Sequence, residues 1–449
     1  MVFTSVVFLF YFLPIALLYH ILPKNIKLRN FYLLVLSLLF YTYGEGKNIV
    51  LMLSAILISH LGAVGVYKYQ KQKNKILFVS VFLMLAQLFV FKYLGFCTSI
   101  LANFADITPI EIALPIGISF FTFQAISYVV DVYRGIDTPA NSVLDAALYV
   151  SLFPQLVAGP IVRYDTVAEE IKSRSTTLDD FTTGIDRFIK GFAMKMLLSN
   201  QFAKISDAAF NMNSQNQLYM AMAAVGAVAY TLHIYYDFCA YSHMAIGLGK
   251  MFGFNFLENF NYPYISKSIK EFWTRWHISL SSYFKDYVYI PLGGSRRSRT
   301  RNVFNLLFVW FLTGMWHGAG FNFIAWGLYY AALLMIERYI IKGRFQSHII
   351  TMILVIIGWI FFRAEGITLA IRYLKSFFNF TAPIGRTWYY YITMYKFEWI
   401  AGLALIGPWI NNKLSKHKTI YRIILIALFL LSIARLITDG FNPFIYFRF

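Results

Sequence analysis

The chain has 449 residues, of which 59% are hydrophobic, 19% aromatic and only 14% charged. So apolar a composition excludes a water-soluble globular enzyme and a disordered chain, and predicts an all-α, polytopic integral membrane protein. The formal charge is +19, but the lysines and arginines cluster in short loops between apolar runs, which marks membrane orientation and argues against a nucleic-acid partner.

Apolar stretches long enough to cross a hydrocarbon core of ~30 Å recur along the whole chain. They fall near residues 3–22, 30–44, 48–67, 76–97, 112–132, 184–210, 217–240, 303–320, 321–340, 348–364, 397–411 and 420–437, with 30–44 and 397–411 short for a full span. The first lacks a basic leader and a small-residue cleavage site before Pro23, so it reads as a retained span. Lys24, Lys27 and Arg29 follow it, and Lys68, Lys71, Lys73 and Lys75 follow the third. Threading these loops alternately through residue 132 puts the N-terminus outside and the basic loops in the cytoplasm. Later basic groups are Arg296, Arg297, Arg299 and Arg301, then Lys342 and Arg344, then Lys413, Lys416 and Lys418.

Two pieces break the pattern of spans. Leu152 to Ile161 is apolar but short and interrupted by Pro154, Gly159 and Pro160. Irregular backbone is tolerated at membrane depth only inside protein or along a wet cavity, so a re-entrant segment is expected there. Between Asn255 and Thr300, apolar and basic residues mix; from Ile265 to Lys285, Trp273, Trp276, His277, Leu280 and Phe284 share one face of a predicted amphipathic helix that lies at the interface or dips in from the cytoplasm. No repeat, linker or low-complexity tract divides the chain, so one membrane domain over 1–449 is expected.

The chemistry centres on His317. It lies in an apolar run from Val303 to Tyr330 whose other ionisable side chains are tyrosines. An imidazole at that depth is costly unless it serves a cavity or a partner, and histidine has the proton affinity of a general base near neutral pH. The bland alternative is a packing histidine bonded to a backbone carbonyl. His317 lies about 15 residues beyond the arginine cluster, or roughly 22 Å along a helix. Asp237 and His233, four residues apart in another apolar run, share a helix face, which suits a structural polar pair as well as a proton relay. The four arginines suit either a topology anchor or the phosphates of a nucleotide-like donor. Cys97 and Cys239 offer neither metal spacing nor a disulfide framework, and a buried inert thiol is the commoner fate of Cys239 than an acyl-accepting nucleophile. No metal site is expected.

Several blocks, in order, are more specific: Phe120 to Gly135, Phe153 to Ile161, Asp237 to Gly247, Asn259 to Tyr264, Phe272 to Leu280, Asp286 to Gly294 and Thr313 to Ala319. Together they resemble the membrane-bound O-acyltransferase family over nearly the whole chain, and within it the bacterial branch that modifies polysaccharides. The resemblance implies a ring of tilted helices with re-entrant segments around a central funnel, with N-terminal helices over 1–132, a catalytic core over 133–340 and C-terminal helices over 341–449. It implies catalytic roles for His317 and His277, and donor contacts from Trp316, Trp273, Arg275, Trp276, Asp237, Tyr241, Arg296 and Arg297. It further implies no permanently bound cofactor, acetyl-coenzyme A as acyl donor, an extracytoplasmic partner protein that places the group on the sugar, and a multi-pass location in the bacterial cytoplasmic membrane. Cys239-Ala240 stand where Ser-Gly is usual and His243 where an aspartate is usual, which leaves alginate, peptidoglycan, cellulose and other exopolysaccharides open as acceptors. A D-alanyl transferase of the teichoic acid type is the nearest alternative. From another class, a transporter or channel also explains intramembrane histidine and aspartate, although no inverted repeat is visible.

Overall fold

A computed structural model describes residues 1–156, 159–343, 346–380 and 387–440, and among these the regular structure is helical throughout, with no strand. Of the residues singled out above, Val157 and Ala158 of the Phe153 to Ile161 segment and Arg344 of one basic loop lie outside the described residues. Among the described residues, four helical stretches are long and apolar enough to cross a membrane: Ile26–Lys68, Gln70–Lys92, Phe321–Ile341 and Lys418–Thr438; Phe8–Ile21 and His348–Arg363 are shorter apolar helices. The last of the four exposes most of its apolar surface. In Lys418–Thr438 only Leu425 and Ser432 are buried, while Ile423, Ile426, Leu430 and Leu431 are exposed. Such a face is stable against lipid and costly against water.

Several predicted edges move for local reasons. The short 30–44 segment is the latter part of a 20-residue helix, Ile26–Glu45, because the Asn25 side chain caps it by accepting from the Lys27 and Leu28 N–H groups. Lys27 and Arg29 therefore ride on its first turns instead of a loop. The 112–132 segment becomes helical only at Ile118, after Gly117 turns the chain at φ +77°. Near 397–411 the helix stops at Ala404, after nine residues; at 1.5 Å per residue it is too short to span.

The chain forms two compact units, Met1–Phe188 with Tyr241–Leu257, and Ile189–Ala240 with Glu258–Phe449. In the first, Phe3, Phe8, Phe12, Phe40 and Phe153 pack ring on ring at centroid distances of 5.0 to 6.5 Å. Arg174 is anchored beside them: its guanidinium donates to the Asn30 side chain at 2.6 Å and to the Tyr19 hydroxyl and Phe252 carbonyl at 3.1 Å, and lies over the Phe254 ring. The described part of the irregular segment is a short helix, Phe153–Leu156, all of it buried. The Phe153 N–H donates to Ser37 Oγ and the Gln155 amide donates to the Tyr149 carbonyl. Protein, not lipid, meets this backbone, as its composition requires.

The second unit is knotted by aromatic rings from four helical segments. Trp273 stands edge-on to Trp310 at 4.8 Å, Trp326 at 5.6 Å and Tyr330 at 4.8 Å, and Trp276 lies 4.7 Å from Trp359. Helices Arg299–His317 and Phe321–Met335 can approach this closely because glycines line their seam. A Cβ on Gly327 would stand 2.2 Å from the Trp310 carbonyl oxygen, and one on Gly314 2.4 Å from that of Phe323. Small residues at such seams let backbones touch where the hydrophobic effect gives no drive. Gly327→Ala is thus expected to lower the thermal unfolding temperature of the purified protein in detergent, whereas Leu328→Ala, on the exposed side of the same helix, should not. Equal melting of the two variants would remove the seam from the list of structural determinants.

Candidate active site

His317 is the last residue of helix Arg299–His317, 18 residues beyond Arg299 and so about 27 Å along the axis. The backbone extends at Gly318, where a side chain would strike the Phe323 ring at 2.2 Å. The helix ends here, with the imidazole at its C-terminus and only a glycine fitting between it and the Phe323 ring. The ring is only 5% exposed. It is enclosed edge-to-face by Trp316 at 5.0 Å, Trp326 at 5.0 Å and Phe362 at 5.1 Å. An aromatic enclosure of this kind limits access of water and restricts the orientation of an imidazole, the group best suited to proton transfer near neutral pH.

His277 also meets Trp316, with ring centroids 6.0 Å apart and a T-shaped arrangement. Both histidines thus border one indole. The continuous amphipathic helix predicted over Ile265 to Lys285 is in fact two short helices, Ile269–Arg275 and Ile278–Phe284. Trp276 is extended between them and His277 adopts the left-handed conformation, φ +45° and ψ +55°. This is rare for a side-chain-bearing residue and persists only where surroundings enforce it. The enforcing group is the strap at Asn259, whose main-chain carbonyl accepts from the Ile278 N–H at 2.9 Å. Trp273, Trp276, His277, Leu280 and Phe284, expected to share one face of that helix, are all buried in protein.

The remaining candidates sort by surroundings. Trp273 and Trp276 belong to the aromatic knot that holds both histidines. Arg275 is committed to Glu271 at 3.0 Å and to the Asn261 carbonyl at 3.1 Å, bracing the turn that carries His277. Arg296 and Arg297 are exposed, with Arg299 and Arg301, on and beside the first turn of helix Arg299–His317. The loop before them is pinned by Asn302 and Asn305, whose amides donate to the Gly294 and Leu292 carbonyls at 3.0 and 3.2 Å. Tyr241 belongs to the other unit, where it stacks on Phe3 at 4.6 Å.

Asp237 does not pair directly with His233. Its partner is Lys195, which sequence reasoning overlooked: Nζ lies 2.6 Å from Oδ1, with both side chains at most 2% exposed. Ser199 bridges to the imidazole, its hydroxyl 3.2 Å from Asp237 Oδ1 and 3.1 Å from His233 Nδ1. Lys195 and Ser199 sit on a π-helical turn, Met194–Ser199, which opens the helix by one residue and sets both on the face toward Asp237. The sequence carries only a weak signal, since Lys195 is the one charge between Lys190 and Lys204 but Ser199, Asn200 and Gln201 follow it closely. Among the described residues, no three histidine, cysteine or carboxylate side chains group closely enough to hold a metal ion.

Comparison with known proteins places the chain in a family. The sequence pattern of MBOAT, the membrane-bound O-acyltransferase family, matches residues 137–378, which include both histidines. The probable alginate O-acetylase of Pseudomonas aeruginosa is 41% identical over 399 residues, 85% of this chain and 75% of that protein. The peptidoglycan O-acetyltransferase of Helicobacter pylori is 31% identical over 84% of this chain and 79% of its own length. The teichoic acid D-alanyltransferase of Bacillus subtilis is 30% identical, but over only 49% of this chain and 58% of that protein. With its all-helical architecture and apolar spans, the chain belongs to the membrane-bound O-acyltransferase family.

Proposed function

We propose that this protein takes the acetyl group of acetyl-coenzyme A from the cytoplasmic side of a bacterial cytoplasmic membrane and passes it, at the His317 centre, toward O-acetylation of a cell-envelope polysaccharide. The observation that carries the reading is one helix with exposed arginines at one end and the enclosed His317 at the other, about 27 Å away. Arginine suits the phosphates of coenzyme A, and the distance along the helix fits a donor that stays on one side while its acyl group is handed on within the membrane. Transfer to a hydroxyl requires a base to take the hydroxyl proton as the new ester forms, while the thiolate leaves and is protonated; His317 is assigned that base. An extracytoplasmic partner protein places the group on the sugar. The acetylase relatives cover most of the chain and the D-alanyl relative about half, which favours acetyl as the acyl group and polysaccharide as the acceptor.

Sidedness tests the reading. Inverted membrane vesicles from cells producing the protein, supplied externally with acetyl-coenzyme A carrying a radiolabelled acetyl group, are expected to accumulate alkali-labile label on lumenal polysaccharide and to release coenzyme A outside. Both signals should vanish in vesicles carrying His317→Ala. Label confined to the exterior, or coenzyme A appearing in the lumen, would overturn transfer of the acyl group across the membrane.

A further inference from the structure

Asn259 stands eighteen residues before His277, in the strap that precedes the two short helices, and its side chain is aimed at the turn that carries the imidazole. It is 3% exposed. Its Oδ1 is contacted by three groups: the Ser279 N–H at 3.2 Å, the Ser279 hydroxyl at 2.9 Å and His277 Nδ1 at 3.2 Å. A main-chain N–H can only donate, so the atom facing Ser279 is the oxygen of the amide and not its nitrogen. An amide oxygen can only accept. The ring nitrogen that shares it must therefore carry a proton, and in a neutral imidazole the other nitrogen, Nε2, then carries the lone pair.

The main chain of Asn259 reinforces the same geometry. Its carbonyl takes the Ile278 N–H at 2.9 Å, and the next-but-one residue, Asn261, donates its N–H to the Arg275 carbonyl at 2.9 Å. Residues 259 to 261 thus bind both sides of the Trp276–His277 break. One residue satisfies two consecutive N–H groups, at 278 and 279, and the adjacent ring N–H. The left-handed backbone at His277 accompanies the turn of those three donors toward the main-chain and side-chain oxygens of one residue.

We propose that Asn259 is a positioning residue for acyl transfer: its side-chain carbonyl holds His277 as the Nδ1–H tautomer, so that the Nε2 lone pair is the atom offered to the reacting groups. Resting on the acyltransferase reading above, this makes His277 a hydrogen-bond acceptor at Nε2 that orients a reacting group, while the hydroxyl proton itself goes to His317, and His277 does not donate to the acyl carbonyl oxygen. Orienting partners of this kind fix the tautomer of catalytic and metal-bound histidines elsewhere.

The test reads the tautomer directly. Purified protein in detergent, labelled with nitrogen-15 histidine, is examined by NMR at a pH where the ring is neutral, and the His277 signals are assigned by their loss in His277→Asn. The expected result is a proton on Nδ1 and a bare Nε2; the reverse tautomer in the wild-type protein overturns the proposal with no variant needed. Asn259→Leu should abolish the preference and lower kcat about tenfold or more, with little change in the KM for acetyl-coenzyme A. Asn259→Asp, which still presents an accepting oxygen, should restore the Nδ1–H signal and most of kcat. If Asn259→Leu keeps the tautomer and the rate, or Asn259→Asp rescues neither, the role is merely structural. The NMR result needs no substrate, so a protein with the expected tautomer and no acetyl transfer would sink the functional reading and leave this one standing.

Discussion

His317→Ala is expected to abolish acetyl transfer while the protein is still made, inserted and purified in normal yield. A positioned general base supplies about 10²–10⁴-fold, and alanine at the last position of a helix introduces no backbone strain. The ring it removes touches Trp316, Trp326 and Phe362 by their edges, so some packing is lost and a small fall in unfolding temperature will accompany the loss of activity. The decisive measurement is turnover of the monodisperse variant. Retention of more than about a tenth of the wild-type rate would fall below the low end of general-base catalysis and assign the proton transfer elsewhere.

The largest effect on stability is expected at the Lys195–Asp237 pair. Both side chains are almost wholly buried, with Nζ and Oδ1 2.6 Å apart. Removing one partner leaves an uncompensated charge, which in buried pairs costs about 3–5 kcal/mol. Lys195→Met and Asp237→Leu should each give little folded protein. The double variant should recover much of the loss, because replacing a buried ion pair by apolar groups of similar volume is often neutral. Asp237→Leu also takes an acceptor from the Ser199 hydroxyl, so it should be the worse single change. Recovery of fold together with acetyl transfer in the double variant would assign the pair a structural role. Recovery of fold without activity would instead place the Lys195, Asp237, Ser199 and His233 chain in the path of a proton.

Hydropathy exposed the long spans and the isolation of His317 in the sequence, because both are properties of a single run of residues: a span needs only length and apolarity, and a buried imidazole announces itself by its surroundings. His277 was found only by family resemblance, and its setting was misread. The spacing of Trp273, Trp276, Leu280 and Phe284 fits one unbroken helix. What breaks that helix is Asn259, a partner far enough away in sequence that no periodicity could report it. Lys195 was hidden for a related reason. A lysine between polar and apolar residues reads as a solvated face until the tertiary structure supplies an aspartate from another helix. The capping by Asn25 was legible in principle, since an asparagine before an apolar run is a start signal, but the adjoining basic residues drew the boundary too late.

The backbone at His277 makes the two histidines unequal as experimental probes. At His317 the conformation suits any L-residue, so a substitution there reports on the imidazole alone. At His277, φ of +45° admits glycine freely, asparagine and aspartate with little penalty, and alanine or any branched residue only under strain. An alanine scan would therefore exaggerate the importance of His277, adding the cost of a distorted turn to the loss of a ring. Among substitutions, asparagine isolates the chemistry, and a ranking of the two histidines drawn from alanine variants would in part rank their backbones.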